Sequence, residues 1–122
     1  MQTKKTVLII EDDPSQQEIY SLTLQRDGYN TIVRGDAHSG LRWLEQILPD
    51  VIMLDVMLPE ISGIEMLELI RKNPNGKDVP IIIATASSDV SEVMLAPFNV
   101  YRLLRKPILP RMLLEAINEL FR

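Results

Sequence analysis

Apolar and polar residues follow two periodicities along the chain, which together predict five strands and five helices. Short aliphatic runs bounded by polar residues indicate buried strands, and apolar residues spaced three and four apart indicate one-sided helices. The predicted strands are Val7–Ile10, Thr31–Val33, Val51–Leu54, Pro80–Ala84 and Val100–Leu104. The predicted helices are Ser15–Arg26, Ser39–Leu48, Ile64–Lys72, Val90–Ala96 and Pro110–Phe121.

The alternation of strands and helices favours an α/β fold, a parallel doubly wound sheet with helices on both faces. The first, third and fourth strands are almost wholly hydrophobic, as central strands are. The second carries Thr31 and Arg34 and is predicted to be an edge strand. Pro97 interrupts the fourth helix, so we expect Phe98 and Asn99 to lie in a loop.

Composition narrows the class of protein. A chain of 122 residues fits a single domain, 1–122. Its net charge of −4 argues against direct nucleic-acid binding by this domain, because no basic field attracts phosphate. The lack of cysteine excludes disulfides and thiolate sites. No apolar run approaches the roughly 20 residues of a membrane span, and the N-terminus does not match a signal peptide. We therefore expect a cytoplasmic protein.

Acidic residues follow two of the predicted strands directly. Glu11, Asp12 and Asp13 come after the first strand, and Asp55 comes after the third. The carboxyl ends of parallel strands form one edge of the sheet, where ligands bind. Carboxylates crowded there repel one another and are hard to keep ionised together. The pattern therefore predicts a bound cation, and Mg²⁺ prefers such oxygen ligands.

The fourth and fifth strands lead to a hydroxyl and a cation at the same edge. Thr85 follows the fourth strand, and Lys106 follows the fifth. An aspartate carboxylate can act as a nucleophile and form an aspartyl-phosphate. A phosphoryl group in transfer needs hydrogen-bond donors and cations around its oxygens. Together with Asp55, these residues favour phosphoryl-transfer chemistry.

Four motifs in this order resemble the receiver domain of two-component response regulators. They are Leu8–Pro14, Pro49–Pro59 with Gly63, Pro80–Ala86, and Lys106-Pro107. The resemblance extends from about Lys5 to Leu120. It implies a flavodoxin-like fold with strand order 2-1-3-4-5 and five helices. It also implies a signalling domain that is not an enzyme in the usual sense, because it catalyses only its own phosphorylation and dephosphorylation.

The resemblance implies a Mg²⁺ site. Glu11 and Asp12 would be the acidic pair that holds the ion, with Asp12 the more direct ligand. Asp55 and the backbone carbonyl of Met57 would be further ligands. Asp13 is expected to cap the first helix, because Pro14 follows it at the first helical position.

The resemblance also assigns the phosphorylation chemistry. Asp55 would be the phospho-acceptor, and Thr85 would bond a phosphoryl oxygen and move with it. Lys106 would pair with Asp55 before phosphorylation and with the phosphoryl group afterwards. The peptide bond between Lys106 and Pro107 is often cis in this family. His38, the sole histidine, is expected to be a surface or cap residue outside this site.

The implied partners are a sensor histidine kinase or phosphotransfer protein, and a downstream protein target or an effector domain absent from this chain. The domain would be a monomer or a phosphorylation-dependent dimer. The chain departs from the family on the output face of the fourth helix, fifth strand and fifth helix. Leu103 stands where the family often has an aromatic residue, Tyr101 is the nearest aromatic, and Asn99-Val100 replaces the usual Gly-Ala.

Two other classes of function remain open at this point. A pseudo-receiver would use the same fold as a constitutive protein-binding module. A flavodoxin or a phosphohydrolase would use a related fold, but this chain lacks a key feature that each of these proteins needs. A flavodoxin needs a hydroxyl- and glycine-rich phosphate loop where this chain has Glu11–Pro14. A haloacid-type phosphatase needs a second aspartate at the position of Met57.

Overall fold

The computed structural model describes residues 4–121, which contain five strands and five α-helices. The strands are β1 Thr6–Ile10, β2 Asn30–Arg34, β3 Val51–Asp55, β4 Ile81–Thr85 and β5 Arg102–Arg105. The helices are α1 Pro14–Arg26, α2 Ala37–Gln46, α3 Gly63–Lys72, α4 Glu92–Leu95 and α5 Pro110–Leu120. A 3₁₀ turn, Ala96–Phe98, continues α4.

The strands form one parallel sheet in the order β2-β1-β3-β4-β5. The predicted flavodoxin-like order is therefore confirmed, and β2 is an edge strand as its composition indicated. The chain leaves β1 towards β2 on one side and later returns to β3 on the other. Such a reversal opens a crevice at the carboxyl ends of the two central strands.

Helices cover both faces of the sheet, and the alternation of side chains along each strand forms two apolar cores. Leu8 and Ile10 of β1 face the core beneath α2 and α3. Val7 and Ile9 face the other core, beneath α1 and α5. All residues of β3 and β4 are buried, as expected for central strands with helices on both sides.

Side-chain caps decide where several helices begin. Asp13 Oδ2 accepts a hydrogen bond from the Gln16 amide at 2.9 Å, so the predicted cap of α1 is confirmed. Asp36 caps α2 through the Ser39 amide at 2.7 Å, so that helix begins at Ala37, two residues earlier than predicted. His38 is exposed in its first turn, as a surface residue would be.

The fourth helical segment differs most from the prediction. The α-helix spans only Glu92–Leu95, and the 3₁₀ turn carries the chain past Pro97. Phe98 belongs to that turn and not to a loop, because proline fits the first residues of a helical turn. Asn99 then adopts a left-handed backbone with φ +54°. The chain therefore enters β5 two residues later than predicted, at Arg102.

Among residues 4–121, every helix is too short or too polar to cross a lipid bilayer.

Gly63, the first residue of α3, is predicted to be required for packing beside Asp55. A Cβ atom there would lie 2.4 Å from Val56 Cβ, too close for any side chain. We expect Gly63→Ala to lower the free energy of unfolding by about 1–3 kcal/mol in urea titrations, the usual cost of overpacking. Gly35→Ala is the milder control, because its Cβ would approach only the side-chain amide of Gln17, at 3.3 Å. Equal stabilities of the two variants would contradict this packing argument.

Candidate functional site

The carboxyl edge of the sheet brings together residues from four strands. Asp55 and Thr85 are the last residues of β3 and β4. Glu11 directly follows β1, and Lys106 directly follows β5. Because β1, β3, β4 and β5 are consecutive neighbours in the sheet, these ends adjoin one another. The predicted site residues therefore lie at one edge, as the spacing along the chain indicated.

The ammonium group of Lys106 joins two buried carboxylates. Lys106 Nζ lies 2.7 Å from Glu11 Oε1 and 3.0 Å from Asp55 Oδ2. Glu11 and Asp55 are only 2% and 6% exposed. The sequence predicted the contact with Asp55 but not the contact with Glu11. One cation thus offsets two negative charges that water reaches poorly.

Burial shifts the protonation of this cluster. It raises the pKa of Glu11 above its usual 4.5, because desolvation outweighs the opposing hydrogen bond from Lys106. Burial alone would lower the pKa of Lys106. The hydrogen bonds with Glu11 and Asp55 outweigh that effect, and the pKa of Lys106 lies above its usual 10.5. The ammonium therefore stays charged at neutral pH, while Glu11 is harder to ionise than an exposed glutamate.

Three carboxylates at this edge fit a divalent cation. Glu11, Asp12 and Asp55 each offer an oxygen, and these oxygens all lie within 4.8 Å of one another. Asp12 is exposed, so one side of the cluster faces solvent. Hard oxygen donors with an open side suit Mg²⁺, which keeps several of its waters. The cluster could therefore bind a metal ion of this kind.

Both oxygens of Asp55 are held by the surrounding chain. Oδ1 accepts a hydrogen bond from the backbone amide of Met57 at 2.9 Å, and Oδ2 accepts one from Lys106. Met57 thus lies beside the carboxylate, with its side chain 55% exposed. Its carbonyl as a metal ligand remains a prediction.

Thr85 is fully buried at the end of β4. Its Oγ1 accepts a hydrogen bond from the Ser87 amide at 3.0 Å, which leaves the hydroxyl hydrogen available to donate. Thr85 therefore belongs to the edge, although the bond it makes is with the following loop and not with Asp55. The peptide bond between Lys106 and Pro107 is cis, as the resemblance implied.

Two polar residues support the site without having been predicted. Gln17 Nε2 donates to the backbone carbonyl of Glu11 at 2.6 Å, from one turn inside α1. Arg105 donates to the carbonyls of Ser87 and Val90, in the loop that follows Thr85. Gln17 lies four residues after Asp13, so helical spacing could have indicated that its side chain lies near the acids. The side chains of Arg105 and Lys106 go to different partners, as period-2 alternation allows.

Leu103, which stands where the family often has an aromatic residue, and the nearby Tyr101 are partly buried. Leu103 packs against the core beneath α2 and α3, and Tyr101 packs against the opposite core. The guanidinium of Arg102 lies 5.3 Å from the centre of the Tyr101 ring. The role of Tyr101 as a contact for a partner protein remains a prediction.

Comparison with known proteins agrees with the fold. The family model for the response regulator receiver domain matches residues 7–118. The DNA-binding response regulator MtrA of Mycolicibacterium smegmatis is 34% identical over 92 residues, which are 75% of this chain and 39% of that protein. This chain thus spans well under half the length of the curated relatives it matches.

Solved structures show the same architecture. The chemotaxis response regulator CheY4 of Vibrio cholerae is 27% identical, with a TM-score of 0.88 over 97% of this chain and 99% of that one. The receiver domain of the sensor histidine kinase PA1611 from Pseudomonas aeruginosa is also 27% identical. Its TM-score is 0.80 over 95% of this chain and 99% of that one, and its active-site cleft holds a magnesium ion.

The raised pKa of Glu11 predicts how stability depends on pH. In the unfolded chain this pKa is near its usual 4.5, so the folded state holds the proton more tightly. The resulting stabilisation is present below about pH 4.5 and is lost as pH rises through the folded-state pKa. In buffer without divalent cations, Glu11→Gln should therefore gain stability relative to wild type as pH rises towards neutral.

Urea unfolding at a series of pH values measures this difference. The control is Glu45→Gln, which removes one carboxyl group at an exposed position on α2, outside the buried cluster. A difference between Glu11→Gln and wild type that stays constant with pH would show that burial does not govern this carboxyl group.

Proposed function

Because the chain belongs to the family of response regulator receiver domains, we propose that it is a phospho-acceptor signalling domain. Asp55 receives a phosphoryl group from a phosphohistidine on a sensor histidine kinase or a phosphotransfer protein. The observation that carries this proposal is the state of Asp55, a buried carboxylate held by Met57 and Lys106 beside two further acids.

The proposed reaction is a displacement at phosphorus. A carboxylate oxygen of Asp55 forms a bond to phosphorus while the bond from phosphorus to the histidine nitrogen of the donor breaks. The electron pair of that bond goes to the leaving imidazole, which takes up a proton to depart as neutral histidine. The existing hydrogen bonds hold the Asp55 carboxylate in one orientation, which lowers the entropy lost on reaching the transition state.

The remaining site residues act on the oxygens of the phosphoryl group. Lys106 Nζ lies 3.0 Å from Asp55 Oδ2 and supplies a fixed positive charge to the phosphoryl oxygens. The hydroxyl group of Thr85 donates its hydrogen to one of these oxygens. A Mg²⁺ ion held by Glu11, Asp12, Asp55 and the Met57 carbonyl would add positive charge there when bound.

Loss of the phosphoryl group uses the same arrangement with water as the nucleophile. The donors and charges that stabilise transfer to Asp55 also stabilise transfer to water, because both reactions pass through similarly charged phosphoryl groups. The domain thereby limits the lifetime of its own signal, and acts on no separate substrate.

Phosphorylation changes the contacts of two residues. Lys106 gives up its bond with Asp55 Oδ2 for a bond with a phosphoryl oxygen, and the Thr85 hydroxyl turns towards the same group. The loop after Thr85 responds, because its Ser87 amide is bonded to that hydroxyl. The phosphoryl group thus changes the local charge, and this change biases the loop after Thr85 between two states.

The output surface in this proposal is the face formed by α4, β5 and α5. A groove of about 310 Å³ lies between α4 and β5, lined in part by Glu92, Asn99 and Tyr101. Arg102 of β5 and Glu119 of α5 form an exposed salt bridge on this face. A downstream protein, an effector domain outside this chain or a second phosphorylated copy would read the change there.

Incubation with Mg²⁺ and phosphoramidate, a small phosphoryl donor, tests the acceptor. We expect wild type to gain one phosphoryl group by intact-mass measurement, and Asp55→Asn to gain none because the amide is not a nucleophile. Asp78→Asn should behave as wild type, since Asp78 is exposed in the loop before β4, at the opposite edge. Phosphorylation of Asp55→Asn would overturn the assignment, and an unmodified wild type would favour the pseudo-receiver.

A further inference from the structure

Tyr20 of α1 carries a buried hydroxyl group that the proposed reaction does not use. The residue is 2% exposed, and its hydroxyl oxygen has no hydrogen-bond partner within residues 4–121. Buried polar groups are nearly always paired in folded proteins, because leaving one unpaired forfeits its hydration without compensation. The hydroxyl of Tyr20 therefore calls for an explanation beyond packing.

Helix geometry places this hydroxyl towards the carboxyl edge of the sheet. Tyr20 lies seven residues after the cap residue Asp13, so their Cα atoms are about 10 Å apart along the helix. Side chains of helical residues lean towards the helix N-terminus. For α1 that end is the edge that carries the acids, so a long tyrosine side chain covers much of the distance back to it.

The packing of Tyr20 agrees with this direction. It shares a buried cluster with Ile9, Ala84, Leu104 and Ile108. Each of these residues lies within two positions of Glu11, Thr85 or Lys106. Tyr20 therefore belongs to the core that extends beneath the candidate site.

The electrostatic surroundings of Tyr20 point to one neighbour above the others. Burial raises the pKa of its hydroxyl to about 12, and Lys106 exerts the largest effect of any charge on it. Smaller effects come from Glu11, Asp55 and Asp13. Among the charged groups of the site, the ammonium of Lys106 thus interacts most strongly with this hydroxyl.

Lys106 also has a hydrogen-bonding position to fill. An ammonium group has three donor hydrogens, and Lys106 Nζ makes two hydrogen bonds, to Glu11 and Asp55. We propose that Tyr20 is a positioning residue for Lys106, its hydroxyl oxygen linked to the third ammonium hydrogen through one buried water.

This role rests on the proposed function of Asp55 as phospho-acceptor. During transfer Lys106 must exchange a carboxylate oxygen for a phosphoryl oxygen. An acceptor on the inner side keeps Nζ at a fixed depth while the outer bonds change. Phenylalanine at this position would fill the same space but could not hold the ammonium.

Tyr20→Phe tests the proposal through a split between activity and stability. We expect the rate of phosphorylation by phosphoramidate at saturating Mg²⁺ to fall about three- to tenfold, the effect of losing one typical hydrogen bond. The Mg²⁺ concentration that gives half the maximal rate should not change, because the metal-binding acids are intact. Stability to urea should change little, because phenylalanine fills the same space and Lys106 keeps its bonds with Glu11 and Asp55.

Tyr29→Phe is the matched control. Tyr29 belongs to the same cluster, but its hydroxyl is paired with Asn118. This variant should lose stability and keep the wild-type rate. An unchanged rate in Tyr20→Phe, with wild type phosphorylated normally, would overturn the role of Tyr20 alone. Failure of wild type to be phosphorylated would overturn the proposed function and this inference with it.

A measurement on the wild-type protein avoids any effect of substitution on folding. In protein labelled with ¹³C at tyrosine Cζ, addition of Mg²⁺ and beryllofluoride, a phosphoryl mimic, should shift the assigned signal of Tyr20. The signal of Tyr29 should stay in place. A Tyr20 signal that does not move would contradict a hydrogen bond that responds to Lys106.

Discussion

The candidate site depends on one ammonium group shared by two buried carboxylates. Lys106 bonds both Glu11 and Asp55, which follow or end two neighbouring central strands. Either carboxylate without that partner would be a buried and uncompensated charge, which is strongly unfavourable. The contact also joins β5 to β1 and β3 across the sheet, with β4 between. The interaction that balances charge at the site therefore also fixes the relative positions of the strand ends.

The apolar layers make this interaction strong. All residues of β3 and β4 are buried, so Asp55 and Thr85 end their strands at the border of a packed core. Low hydration raises the pKa of Glu11 and strengthens the attraction between Lys106 and its partners. A phosphoryl group that arrived at Asp55 would compete for the same ammonium. Packing and charge balance thus depend on the same few residues, and so would the proposed phosphorylation.

Sequence patterns predicted those parts of the molecule that local rules determine. The central strands are continuous aliphatic runs, and the acids directly follow them, so parallel topology is enough to bring Glu11 and Asp55 together. Local rules were less successful where several signals compete. The cap residue Asp36 makes α2 begin two residues before the predicted start. The fourth helix is shorter than predicted, because the chain continues around Pro97 as a 3₁₀ turn.

Apart from the pairing of Lys106 with Asp55, which the resemblance implied, contacts between elements could not be predicted from the sequence. The bond between Lys106 and Glu11 joins residues 95 positions apart. It depends on the twist of the sheet and on side-chain direction, which no local pattern records. The contacts of Arg105 with the loop after Thr85 depend on the path of that loop. The burial of Tyr20 beneath the site depends on how α1 is rotated against the sheet.

A double-mutant cycle between Lys106→Met and Asp55→Asn measures the shared ammonium most directly. Free energies of unfolding in urea would be compared for wild type, both single variants and the double variant. If the ammonium is shared, Lys106→Met is much less destabilising when Asp55 is already neutral, with a coupling of at least about 1.5 kcal/mol. Effects that add to within about 0.5 kcal/mol would contradict it, since residues that share no interaction behave in that way.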